Sequence, residues 1–302
     1  MTRSALLQRI IDAVPADFAD PAADYRQVRA TMAPFHSQPV SAELLIERRE
    51  FGGVGCGVYR LPGRADAPVA FHCHGGAFVS CPLDHYHFYG EMIAARTGCQ
   101  VVMPDYRLAP EHPWPAAHDD CFAAWRGLLQ SGVAPGRIVV MGESCGGSLG
   151  LAMLVRAREE GLPMPAAFVS LTGWFDLAVA GPTFVERDPF LTPEWVRNRG
   201  RDYLAGRLPL DDPRVSPAYA ALDGLPPLYL QMAQFDTMRE GVLKVALAAA
   251  RAGVAVTLET WPDMIHGWHG LVNSGVEEAQ EAWAAIRRFC DERIEGGGTG
   301  RA

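Results

Sequence analysis

The chain has 302 residues, too many for one small domain but within reach of a single large α/β domain with accessory pieces. Hydrophobic residues make up 49% and charged residues 21%, the balance of a packed globular protein, and no stretch holds the roughly 18 unbroken apolar residues of a membrane span. A formal net charge of -8 supplies no basic footprint for a polyanion, so nucleic acid is excluded as a partner.

From the N-terminus, residues 1–13 carry Arg3, Gln8, Arg9 and Asp12 among the apolar positions and lack the continuous core of a secretory signal, so a cytoplasmic location is expected. Residues 1–40 read as amphipathic helix broken by Pro15, Pro21 and Pro34, with Leu6, Leu7, Ile10, Ile11 and Val14 at helical spacing. Strands are predicted at 44–50, 57–61, 68–73 and 100–104. Beyond residue 100 the pattern becomes strand, helix, strand: 137–141 extended, 146–160 helical, 167–171 extended, 228–232 extended, 239–251 helical, 254–260 extended and 276–293 helical. Short apolar runs without alternation suit strands covered on both faces, so the fold class is α/β, a mostly parallel sheet with helices on both sides.

Residues 181–209 interrupt this rhythm with a polar, aromatic insert that contains Phe184, Phe190 and Trp195. With residues 1–40 it is expected to form a small cap over a catalytic domain of 41–180 and 210–294. The glycine-rich residues 295–302 read as a disordered tail. Seven cysteines with no C-x-x-C pair read as buried thiols of a reducing compartment.

The sharpest local signal is Gly142-Glu143-Ser144-Cys145-Gly146, placed between an apolar strand and a long helix. A G-x-S-x-G set in that context makes a turn so tight that side chains at the glycines would strike the adjoining strand and helix, which leaves Ser144 exposed at a helix N-terminus as a nucleophile. A second signal, His74-Gly75-Gly76-Ala77-Phe78, follows the strand at 68–73. Its glycines let backbone N–H groups approach a substrate and form an oxyanion hole, to which the amide of Cys145 adds a donor.

A serine nucleophile needs a base, and the chain order nucleophile, acid, base leaves His266 and His269 as candidates. His266 lies in a glycine-containing loop just past a strand, whereas His269 reads as a surface or packing residue. Asp236 follows the strand at 228–232, at the sheet end where open α/β folds keep their functional groups, and is favoured as the acid. Glu240, placed in the next helix, and Asp263, close to His266 in sequence, are its rivals. A neutral imidazole is required to take the serine proton, so activity is expected to rise with pH through an apparent pKa of about 6 to 7. The pairs His72/His74 and His85/His87 raise a metallohydrolase as the competing mechanism. It finds no further cluster of ligands, so neither a metal nor any other cofactor is expected.

Beside these motifs stand Asp105-Tyr106-Arg107-Leu108-Ala109-Pro110-Glu111-His112-Pro113-Trp114-Pro115-Ala116-Ala117-His118-Asp119-Asp120, Ser216-Pro217, Pro226-Pro227 and Asp236 through Gly241. In this order they resemble the hormone-sensitive-lipase-like (bacterial family IV) carboxylesterases of the α/β-hydrolase fold over almost the whole chain after residue 40. The resemblance implies a Ser144, Asp236, His266 triad, donor amides at Gly76 and Ala77 with Gly75 shaping the turn, a helical cap and cofactor-free hydrolysis of short- to medium-chain esters. It also implies that 105–120 is an ion-paired, proline-stiffened wall. Two departures, Ala77 for a third glycine and Glu143-Ser144-Cys145 for the commoner Asp-Ser-Ala, keep every backbone donor but bear on the acyl pocket. The expected partner is a small-molecule ester, and a homodimer is left open. Lactone or amide hydrolysis would use the same triad. Plant gibberellin receptors, which resemble the family and bind without turnover, have lost the histidine that this chain keeps at His266.

Overall fold

The computed structural model describes residues 5–181 and 188–294. Two helices come first, α1 (Ala5–Asp12) and α2 (Tyr25–His36). The strands are β1 (Leu45–Phe51), β2 (Val54–Arg60), β3 (Val69–Cys73), β4 (Gln100–Pro104), β5 (Ile138–Glu143), β6 (Ala167–Leu171), β7 (Leu228–Phe235) and β8 (Val256–Ile265). Between them run α3 (His87–Thr97), α4 (Ala116–Gln130), α5 (Cys145–Glu159), α6 (Pro193–Leu204) and α7 (Arg239–Arg251), and α8 (Glu277–Arg293) closes the fold.

One eight-stranded sheet has the order β1-β2-β4-β3-β5-β6-β7-β8, antiparallel at β1/β2 and β2/β4 and parallel elsewhere. Every residue of β3, β5 and β6 is buried, which is why these strands read as unbroken apolar runs. Alternation along β3 shows what covers each face. Phe71 meets Trp125 of α4 and Cys73 Sγ lies 3.9 Å from Cys121 of the same helix, while the intervening His72 stacks on Tyr89 of α3. Helix α3 packs on α8 and α4 packs on α5, so the sheet has a helical layer on each side. All seven cysteines are buried free thiols.

Two boundaries differ from the sequence expectation in ways that matter for the site. Strands β7 and β8 run on to Phe235 and Ile265, past the expected ends at 232 and 260. Polar Gln234 and Asp263 disguise that extension, but Gln234 Oε1 accepts the Asp263 N–H (2.9 Å) and ties the two strands together beyond the apolar run. Pro34 does not break α2 but sits inside its last turn, where its missing N–H removes a single backbone donor; the Ser37 N–H still closes the end on Ala33 O (2.9 Å). Asp24 starts the helix with a capping box, its side chain accepting from Arg26 and Gln27 N–H while Gln27 Oε1 accepts the Asp24 N–H.

In the insert, Thr192 caps α6 through its hydroxyl oxygen, which accepts the Trp195 N–H (3.1 Å), and Pro193 supplies a pre-set first helical residue. Phe184 lies outside the described residues. The N-terminal segment and the insert touch each other: Arg199 donates to Ala23 O (2.9 Å), Asn198 to Pro21 O (3.0 Å), and the Phe18 and Phe190 rings meet edge to face at 5.9 Å.

Candidate active site

Strand β5 delivers Ser144 into a turn with φ 53 and ψ -123, a conformation that costs about 1–2 kcal/mol for a residue with a side chain and persists only where its neighbours enforce it. They do so through the backbone: Ser144 N–H donates to Leu171 O (3.1 Å), and Ser144 O accepts from Gly147 (2.9 Å) and Trp174 (2.8 Å). A Cβ on Gly142 would lie 2.4 Å from Gly146 O, and one on Gly146 would lie 2.0 Å from Cys73 O. Both glycines are therefore required by contact with backbone, which cannot move aside.

His266 follows β8 and bridges two groups, its Nδ1 3.0 Å from Asp236 Oδ2 and its Nε2 3.0 Å from Ser144 Oγ. A carboxylate can only accept, so Nδ1 carries the hydrogen and Nε2 is free to accept from the serine hydroxyl. Asp236 is buried just past β7, and its other oxygen accepts the Met238 N–H (2.8 Å). Burial works against an imidazolium at His266, but the Asp236 carboxylate outweighs it, with smaller contributions from Glu143 and Asp188, and raises the pKa to about 9. That value lies above the 6 to 7 expected from an ordinary histidine.

The competing residues sit elsewhere. His269 is not at the surface: it is fully buried, its Nε2 2.8 Å from Gln231 Oε1 and its ring 3.8 Å from that of Trp268. Glu240 lies in the first turn of α7, and Asp263 occupies a left-handed position (φ 63) within β8. His72 and His74 are buried among aromatics, and His87 bonds Tyr59 (3.0 Å). Among the described residues no three His, Cys, Asp or Glu side chains converge as metal ligands would.

Gly76 and Ala77 border the same cavity as Ser144 and His266, a space of about 360 Å³. Its walls are apolar and come largely from the N-terminal segment (Ile10, Val14, Phe18) and the insert (Phe190, Leu191, Trp195). Gly76, Ala77 and Phe78 have φ of 99, 54 and 65, three successive left-handed residues that turn the chain beside Ser144. The side chain of Cys145 does not reach the cavity. It is buried behind Ser144, where its sulfur accepts the Phe78 N–H (3.2 Å), so this departure acts on the loop and not on the pocket wall. Glu143 does border the cavity. Its carboxylate accepts from Tyr86 OH (3.1 Å) and fills the space a Cβ on Gly75 would need, 2.0 Å away.

The 105–120 segment is ion-paired, but none of its residues borders the cavity, so it is no wall of this space. Arg107 makes a two-pronged pair with Asp120 (2.8 Å each), and the Tyr106 hydroxyl lies 2.8 Å from His74 O and 3.1 Å from Gly75 O. Asp188 was not expected at the site. It is half-buried near Asp236 and accepts the N–H groups of Phe190 (2.9 Å), Leu191 (2.9 Å) and Thr237 (2.7 Å), with desolvation first and the Asp236 charge second raising its pKa. Nothing in the polar run of the insert distinguished this carboxylate from a solvated one.

Sheet order, nucleophile turn and relay together define an α/β hydrolase, and the alpha/beta hydrolase fold family matches residues 70–270. An acetyl-hydrolase of Streptomyces hygroscopicus is 37% identical over 78% of this chain and 80% of its own length. A carboxylesterase of Mycobacterium tuberculosis is 33% identical over 94% of this chain and 95% of its own. The crystal structure of an esterase from the bacterial hormone-sensitive lipase family superposes with a TM-score of 0.90 at 35% identity, covering 97% of this chain and all of that one. The chain belongs to the hormone-sensitive-lipase-like, family IV carboxylesterases, and is a carboxylic ester hydrolase. Among the described residues no helix is long and apolar enough to cross a membrane.

Proposed function

We propose that the protein hydrolyses short- to medium-chain carboxylic esters through an acyl-enzyme on Ser144, with His266 as base and Asp236 as the acid that orients it. The observation that carries this reading is the relay Ser144 Oγ, His266, Asp236, with both links at 3.0 Å. Ser144 Oγ attacks the ester carbonyl carbon as its proton passes to His266 Nε2, and the carbonyl oxygen becomes an oxyanion facing the amides of Gly76, Ala77 and Cys145. The tetrahedral intermediate expels the alcohol, which takes the proton from His266. Water, deprotonated by the same histidine, then releases the carboxylic acid and restores Ser144.

Residues 1–40 and 181–209 act in this reading as a cap, since side chains from both border the cavity. An apolar space of about 360 Å³ favours acyl chains of about two to eight carbons: each buried methylene gains about 0.8 kcal/mol until the chain meets a wall. The cytoplasm is the proposed location, because seven free buried thiols suit a reducing compartment. The test is a series of p-nitrophenyl esters from acetate to palmitate assayed on the wild type and on Ser144→Ala, with mass spectrometry of protein treated with an organophosphate. Turnover falling beyond about eight carbons and a single adduct on Ser144 support the reading. An adduct elsewhere, or turnover by folded Ser144→Ala, overturns it.

A further inference from the structure

The donor loop is under strain and must be held from outside. Ala77 and Phe78 are both left-handed without being glycine (φ 54 and 65), at about 1–2 kcal/mol each. Bonds within the loop and contacts from Ala109 and the insert fix most of it. Gly76 O accepts from Val79 N–H (3.2 Å), Ser80 N–H (2.9 Å) and the Ser80 hydroxyl (2.8 Å), and Phe78 O accepts the Ala109 N–H (3.0 Å). The Phe78 ring lies flat on Tyr203 at 4.0 Å.

The exit of the loop is held by the N-terminal segment. Arg29, on α2, donates Nε–H to Val79 O (2.6 Å) and Nη2–H to Ala109 O (3.1 Å), spanning the two strands of chain that the Ala109–Phe78 bond joins. The same guanidinium grips Glu111 with both prongs, at 2.8 and 2.7 Å, and rests over the Tyr25 ring, 4.8 Å from its centre. Bonding to Arg29 is the main cause that holds the Glu111 carboxyl below its usual pKa, so the pair stays charged across the working pH range. Four N–H donors of one planar group are thus committed to a fixed fork, a geometry that a lysine ammonium cannot reproduce.

We propose that Arg29 is a positioning residue for the reaction: by clamping Val79 and Ala109 to α2 it holds the Gly76–Ala77 amides at the height of the developing oxyanion. The N-terminal segment then contributes to the chemical step as well as to the pocket wall. Oxyanion donors act only at the correct height, and a displacement of about 1 Å far from the chemistry costs up to about a hundredfold. Because Arg29 does not border the cavity, its loss leaves ground-state binding nearly untouched.

The inference rests on the reading of Ser144 and its donors given above, and the experiment separates the two. Arg29→Ala and Arg29→Lys are compared with wild type for kcat and KM on p-nitrophenyl butyrate, for thermal midpoint, and for affinity toward an alkyl trifluoromethyl ketone. Ser144 Oγ adds to that ketone's carbonyl carbon, its proton passes to His266, and the ketone oxygen becomes a stable oxyanion. We expect Arg29→Ala to lower kcat roughly 10- to 100-fold and weaken the ketone in the same proportion, with KM within about twofold, and Arg29→Lys to recover only part of either. Wild-type kcat and ketone affinity in either folded variant, or a change confined to KM, overturn the clamp. Should Arg29→Ala fail to fold, Arg29→Lys, which keeps the charge beside Glu111, carries the same comparison. Ser144→Ala run beside them tells the failures apart: if it retains turnover, the reading of the site falls; if it is inactive while Arg29 variants are normal, only the clamp falls.

Discussion

The sheet centre and the N-terminal segment border one cavity, yet they meet it by different rules. Strands β3 and β5 end at the site because their carboxyl ends project there, and they deliver rigid backbone: the Gly76–Ala77 loop and the Ser144 turn. Helices α1 and α2 deliver side chains. Ile10 on α1 and Val14 just past it border the cavity, while Leu7 and Ile11 beside Ile10 are buried in the core. The sheet fixes backbone, whereas the segment supplies apolar wall and, through Arg29, bonds to the exit of a loop it does not belong to. With the Arg29 clamp, a residue far from Ser144 in sequence takes part in setting the rate.

The largest expected effect lies on the sheet side. Ser144→Ala and His266→Ala should each lower kcat by roughly 10⁴- to 10⁶-fold, and Asp236→Asn by about 10⁴-fold, with the thermal midpoint near wild type in Ser144→Ala and lowered in the two variants that break the His266–Asp236 pair. Glu240→Gln and Asp263→Asn should stay within a few fold, since Asp236 is the partner of His266 Nδ1. Steady-state kinetics on p-nitrophenyl butyrate decide it: if Asp263→Asn proves worse than Asp236→Asn, the acid is misassigned.

Next comes the segment itself. Deleting residues 1–35 removes Arg29, opens the cavity and exposes apolar surface that α1 and α2 cover, so kcat on the butyrate should fall by about 10- to 100-fold and stability should drop. Activity on acetate, hexanoate and palmitate esters beside the full chain is the measurement. A stable truncation with unchanged rates and chain-length preference would erase the distinction between the two regions.

The fold was legible because its central strands are covered on both faces and so must be continuously apolar, as at 138–141 and 167–171. The tight turn at Ser144 was legible for a related reason: glycine at 142 and 146 is dictated by backbone contacts of 2.4 and 2.0 Å, which leave a fixed mark on the sequence. Asp236 and His266 could be ordered along the chain. Asp188 and Arg29 could not be found, because a half-buried carboxylate among backbone amides and an arginine reaching carbonyls 50 and 80 residues away look like ordinary surface residues until the chain is folded. Cys145 was read toward the acyl pocket. Its thiol faces the opposite way, a direction that spacing alone does not encode.

The pH profile sharpens the role of the relay with a smaller effect. His266 must be neutral to accept the serine proton, and Asp236 raises its pKa from 6.5 to about 9 against the opposing pull of burial. Activity should therefore rise with pH, with the half-maximal point of kcat/KM above 6.5 and toward 9. In Asp236→Asn the charge is gone and burial remains, so the residual activity should have its midpoint displaced to lower pH. By the same linkage the charged pair stabilises the fold fully below pH 6.5, and that contribution is lost as pH rises through about 9. Profiles corrected for spontaneous ester hydrolysis decide the matter; a midpoint that Asp236→Asn leaves unmoved would remove the carboxylate from the relay.

The smallest expected effect belongs to Cys145, where the sheet side depends on a side chain for once. Its sulfur accepts the Phe78 N–H at 3.2 Å, joining the nucleophile helix to the left-handed residue that follows the donor amides. In Cys145→Ala that N–H is left buried without a partner. Because sulfur is a weak acceptor, the loss should sit at the low end of the usual penalty, about 1 kcal/mol, or about 2 °C in thermal midpoint for a chain of this size. The loop keeps its other anchors, including Ala109 on Phe78 O and Arg29 on Val79 O, so kcat should fall only a few fold and KM should hold. Cys145→Ser, with a shorter but stronger acceptor, should recover part of the stability if the oxygen can reach the amide. The informative experiment is the double variant Cys145→Ala with Arg29→Ala. Two anchors on one strained loop should couple, giving a loss in kcat larger than the product of the single losses. Strict additivity, with both single variants folded, would mean that the sulfur and the guanidinium hold separate pieces of chain and that the loop does not move as one body.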